Sequence, residues 1–142
     1  FIEGSILEEM TFDASENYVI KYNNKMRVWE QPRPEFDYVI GVDVALGREG
    51  DYSAFHIINL YNGEQVGEFY SNKTPINEFA KIIAAEGNLY NNATVLVERN
   101  GIGTTLIDWL FNVLEYENLW TDDKGEFGYL VTNKLKRSSL QN

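Results

Sequence analysis

With 142 residues and 44 % hydrophobic side chains, the chain is long and apolar enough to build one core, which argues against a disordered tract. It has no cysteine, so disulfides and thiolate metal sites are excluded. No apolar run approaches the roughly 18 residues of a membrane span, and no charged-then-apolar leader opens the chain. The net charge of −10 bears on partners, because proteins that grip DNA by bulk electrostatics are basic. Action on nucleic acid would therefore need bound cations, a basic tail or another domain. The chain starts at Phe1 and stops at Asn142, just after the basic stretch Lys134-Leu135-Lys136-Arg137, so both ends read as cuts in a longer polypeptide.

Tyr18 to Tyr22 and Lys25 to Trp29 read as two short strands around an Asn23-Asn24 turn. Pro32 and Pro34 then break both helix and ladder, marking a boundary. Tyr38-Val39-Ile40-Gly41-Val42-Asp43 is a β-branched apolar run ending in a carboxylate, the pattern of a strand buried on both faces. Past the loop Gly47-Arg48-Glu49-Gly50-Asp51, strands are expected over Ser53 to Leu60 and Gln65 to Ser71, joined by a turn at Asn62-Gly63. Pro75 opens a helix to about Leu89, with Thr74 as its N-cap. Thr94 to Glu98 is another buried-type strand ending in an acid. Gly101 and Gly103 lead into an amphipathic helix from about Thr104 to Glu115, and a last short strand falls within 119–131. The order describes an α/β fold, a mixed sheet flanked by helices.

Two strands thus deliver an acid to the same end of the sheet, Asp43 and Glu98. Sites in open α/β sheets form at the carboxyl ends of strands. A carboxylate at the end of a buried run must be paired, protonated or metal-bound, because burying it alone is costly. Asp51 is a third candidate, eight residues past Asp43 across a glycine-bearing loop. Three gathered carboxylates repel one another unless a divalent cation neutralises them, and hard oxygen ligands select Mg²⁺ or Mn²⁺. Two such ions about 3.5–4 Å apart are the usual clamp for phosphodiester hydrolysis. The plainer reading makes Asp43 a turn cap, Glu98 the partner of neighbouring Arg99, and Asp51 an ordinary loop acid. His56, the single histidine, reads as a packed strand residue, and Trp29, Trp109 and Trp120 as core or interface anchors. Gly101 and Gly103 at a helix start are a weak phosphate signal.

The stretch from Gly41 to His56, with Asp43, the glycine loop and Asp51-Tyr52-Ser53-Ala54, resembles the opening nuclease motif of the large terminases of myovirus-type phages. Leu96-Val97-Glu98-Arg99-Asn100-Gly101-Ile102-Gly103 resembles that family's second acidic motif, and Leu114-Glu115-Tyr116-Glu117-Asn118 its segment after the following helix. The similarity runs from about Phe1 to Asn142, with the early part similar to the connector after the packaging ATPase. The resemblance implies residues 1–37 as connector and 38–142 as a ribonuclease-H-like nuclease domain, truncated at its C-terminus. It implies metal-dependent cutting of concatemeric double-stranded DNA during genome packaging, with Asp43 and Glu98 as catalytic metal ligands and Asp51 as a further acid near two Mg²⁺ or Mn²⁺ ions. Implied partners are DNA, the ATPase domain of the same polypeptide, the portal and the small terminase subunit, with no membrane, in the host cytoplasm at the prohead.

The family's third acid, an Asp well downstream of the second motif, has no counterpart here, and Asp108, Asp122 and Asp123 are poor substitutes. No phosphate-loop motif occurs either. The fragment is therefore expected to bind metal weakly and to cut poorly or not at all. Alternatives are another ribonuclease-H-like nuclease, such as a Holliday-junction resolvase or integrase core, an actin-type kinase lobe, or a non-catalytic acidic interaction module.

Overall fold

The computed structural model describes residues 17–44 and 52–130. Among these residues six strands form one sheet: β1 (Val19–Lys21), β2 (Met26–Val28), β3 (Tyr38–Val44), β4 (Ser53–Asn59), β5 (Gln65–Ser71) and β6 (Thr94–Val97), in the order β1-β2-β5-β4-β3-β6. β3, β4 and β5 are an antiparallel meander, and β6 lies parallel to β3 after a helical crossover. Two helices follow the meander, α1 (Ile76–Leu89) and α2 (Gly101–Asp108).

The turns form where side chains tolerate a left-handed backbone. Tyr22, Asn23 and Asn24 all have positive φ between β1 and β2, and Gly63 (φ +74) closes the β4–β5 hairpin. The sheet has two unlike faces, because strand side chains alternate. Ile40 and Val42 pair with Ile57 and Phe55, and Phe55 with Phe69 and then Met26, so these residues share one inner face and are all buried. Phe55 and Phe69 stack at 5.1 Å, and Phe79 of α1 packs on both at 6.0 and 5.5 Å. Leu106 of α2 and Leu110 just beyond it join the same core, so both described helices cover the inner face.

β3 departs from the double-sided burial expected of its apolar run. Its residues alternate between buried and more exposed, with Val39, Gly41 and Asp43 on the outer face. Among the described residues a Cβ built at Gly41, beside Asp43 on that face, would meet nothing within 4 Å. On the same face a polar row crosses the sheet, with Arg27, Glu68 and His56 in register on β2, β5 and β4.

Both helix starts differ from expectation. α1 begins at Ile76 with Pro75 at the N-cap, while the Thr74 hydroxyl donates to Ser71 Oγ at 2.8 Å instead of capping. α2 begins at Gly101, three residues earlier than expected, because the Asn100 side chain caps it by accepting from the Gly103 amide at 2.7 Å. A π-helical turn, Trp109–Val113, continues it, with the Leu114 amide donating to the Trp109 carbonyl at 2.9 Å. Beyond it the chain returns to the free edge of β6, bridging Leu119 to Val95 and Tyr129 to Glu98 around a small excursion closed by Thr121 and Phe127. Isolated bridges at this edge stand where a last short strand was expected within 119–131.

Candidate active site at the carboxyl ends of β3 and β6

The β3–β6 register runs through Gly41↔Leu96 to Val42↔Val97, and continued one residue past that last pair it brings Asp43 opposite Glu98. Facing residues of a parallel pair share a face. Both acids therefore stand on the outer face, at the carboxyl ends of adjoining strands. Asp43 is exposed and Glu98 half-buried. Among the described residues neither carboxylate has an ion-pair or side-chain hydrogen-bond partner.

Arg99, the ready partner of the plainer reading, is committed elsewhere. Its guanidinium pairs with Glu126 at 2.6 Å and Asp122 at 3.1 Å, and its Nε donates to the Gly128 carbonyl at 3.3 Å. The Asp122 carboxyl is held below its ordinary range, first by the Glu126 backbone amide and further by the Lys124 amide and Arg99. That acid is thus spent on anchoring its loop. Asp108 accepts from Asn112 at 2.6 Å on the helix surface, and Asp123 is an exposed turn residue.

α2 descends directly onto this strand end. A Cβ on Gly103 would collide with the Glu98 carbonyl oxygen, so glycine is required for the helix start to sit so close. Tyr129 stands beyond Glu98, in the place of a third strand. Its amide donates to the Val97 carbonyl at 2.9 Å and its carbonyl accepts from the Arg99 amide at 2.6 Å. Burial pushes its phenol up, and the charges of Glu98 and then Asp43 push it further in the same direction. Sequence reasoning passed over Tyr129, whose place depends on long-range pairing.

His56 lies two residues from Asp43 in the β3–β4 register. Burial lowers its imidazole pKa, opposed chiefly by Glu68, whose carboxylate lies 3.6 Å from Nδ1. Its half-buried place in the sheet agrees with a packed strand residue. Tyr52, next to the glycine loop, stacks on Tyr70 at 4.3 Å. Asp51 and the basic Lys134, Lys136 and Arg137 lie outside the described residues. Among the described residues no three His, Cys, Asp or Glu side chains converge tightly enough to hold a metal ion. Asp43 and Glu98, two carboxylates without partners among the described residues, are hard oxygen ligands of the type that Mg²⁺ and Mn²⁺ take. They fit a divalent cation as a partial set.

No protein-family model matches the chain. Among solved structures, the large terminase nuclease of thermophilic phage G20c superposes with a TM-score of 0.64 at 18 % identity, both with bound cobalt and with bound magnesium. The cobalt-bound match covers 92 % of this chain and 65 % of that one. The Thermus phage P74-26 large terminase nuclease domain superposes with a TM-score of 0.60 at 17 % identity, over 89 % of this chain and 62 % of that one. The chain thus has the fold of large-terminase nuclease domains and spans somewhat under two thirds of their length. The ribonuclease-H-like sheet expected from sequence agrees with these neighbours.

Proposed function

We propose that this chain is part of the nuclease domain of a phage large terminase, and that the complete domain hydrolyses phosphodiester bonds of concatemeric double-stranded DNA during genome packaging. The observation that carries the reading is the side-by-side placement of Asp43 and Glu98, without described partners, on a fold shared with terminase nucleases. Two adjacent unpaired carboxylates repel each other, and divalent cations relieve that repulsion. Bound magnesium, cobalt and zinc in the G20c nuclease structures support the same cofactor class here.

In this reading Asp43 and Glu98 are the catalytic metal ligands, holding Mg²⁺ or Mn²⁺ from adjoining strands. Asp51 is a further acid near the ions, and the set is completed by a third acid downstream of the second motif. Bound there, two such ions supply activation of water and neutralisation of charge on the phosphate. Asp43 and Glu98 orient those charges, and the close contact of Gly103 with the Glu98 backbone keeps the second ligand in place. Among the described residues nothing stands over Gly41, beside Asp43, where a DNA backbone would approach. Residues 1–37 lead from a preceding ATPase domain into the nuclease of 38–142, although β1 and β2 within that segment already pair onto the nuclease sheet. The portal and the small terminase subunit are the expected partners, at the prohead in the host cytoplasm.

The test is Mn²⁺ calorimetry on the full-length protein with Asp43→Ala and Glu98→Ala variants, beside a plasmid-cutting assay. Binding and cutting that vanish together in both variants support the reading. Cutting that survives in either variant overturns it.

A further inference from the structure

The candidate site does not end at its two acids. The parallel register that places Asp43 beside Glu98 continues one step outward, because Glu98 bridges Tyr129 in parallel. Asp43, Glu98 and Tyr129 therefore form one row across three neighbouring stretches of backbone. The position of Tyr129 is strongly constrained. Gly128 before it has φ +76, and a Cβ there would run into the Val97 carbonyl oxygen, Arg99 and Ile107. Arg99 ties the same loop down through Asp122, Glu126 and the Gly128 carbonyl. Three ion-pair and hydrogen-bond anchors and an obligatory glycine thus hold one half-exposed phenol beside the acids.

A phosphodiester brought to Asp43 and Glu98 meets two negative charges. Arg99, the nearest cation in sequence, is spent on the loop. A neutral hydroxyl is the donor this row offers to a phosphate oxygen, and the flat ring beneath it suits contact with a sugar. We propose that Tyr129 is a substrate-positioning residue, its hydroxyl donating to a non-bridging phosphate oxygen of the DNA strand bound at Asp43 and Glu98. This assignment rests on the nuclease reading above.

Tyr129→Phe keeps the ring and removes only the donor. In the full-length protein, binding of a labelled DNA duplex is followed by fluorescence anisotropy in Ca²⁺, alongside Mn²⁺ calorimetry and cleavage kinetics. The expected result is a duplex Kd and KM raised about tenfold with kcat and Mn²⁺ affinity unchanged, the size of one lost hydrogen bond to a charged group. Wild-type-like duplex binding and KM in Tyr129→Phe overturn the assignment, as does loss of Mn²⁺ binding, which would make the phenol a support of the acids instead. Asp43→Ala in the same series separates the two readings. Unaltered cutting by Asp43→Ala sinks the nuclease reading itself, whereas lost cutting there with an unaffected Tyr129→Phe removes only the role of Tyr129.

Discussion

The two faces of the sheet are made by the same strands and differ in nearly everything else. The inner face is a buried aromatic layer, Phe55, Phe69 and Phe79, closed over by both helices. The outer face carries Arg27, Glu68, His56 and, at its edge, Asp43 and Glu98, which have no partner among the described residues. Fully buried apolar area stabilises the fold, whereas unpaired carboxylates contribute nothing to it and cost something through repulsion. The contrast separates what keeps the chain folded from what it is fit to do.

The largest effect is expected at the centre of the inner face. Phe69→Ala should cost about 3–5 kcal/mol in urea unfolding, since it empties the middle of the aromatic layer. Gly103→Ala comes next, at about 1–3 kcal/mol, because the helix start must lift off the Glu98 carbonyl. Asn100→Ala should cost about 1 kcal/mol by removing the cap of α2. Asp43→Asn should change stability by no more than about 0.5 kcal/mol. A loss at Asp43 rivalling that at Phe69 would break the division between the faces.

The smallest effect sharpens it. The folded-state pKa of His56 is lowered, so the unfolded chain takes up its proton at higher pH than the folded one. Its contribution is fully present above the unfolded value of about 6.5 and declines as pH falls through the folded value. Urea titrations from pH 7.5 downward should show a decline below about pH 6.5 that is shallower in His56→Gln. Equal slopes would mean that His56 is solvated in the folded protein.

Much of this was legible in the sequence. β4 and β5 were bounded to within a residue because Asn62-Gly63 marks the hairpin and the flanking runs are the right length. β3 was placed but its burial misjudged, because an apolar run containing Gly41 does not say which face is covered. Thr74 looks like an N-cap in sequence, but the hydroxyl of Ser71, three residues earlier, draws it away. Gly101 and Gly103 read as a lead-in to α2 because glycine is a poor helix former. They are its first turn, because packing against the Glu98 carbonyl outweighs propensity. Asp43 and Glu98 could be singled out by their positions at strand ends, but their adjacency needed the β3–β6 register. Tyr129 carries no local signal at all, since its place follows from a pairing set by the strand it lies against.

The excursion on the edge of β6 has a practical consequence. Its two ends are fastened to the sheet independently, Trp120 to the Val95 carbonyl and Tyr129 to the Val97 carbonyl, while Asp123, Lys124 and Gly125 at the tip are exposed. The tip is therefore a natural attachment point: a fluorophore or short peptide placed at Lys124 would ride close to the candidate site while the register of the edge stays as it is.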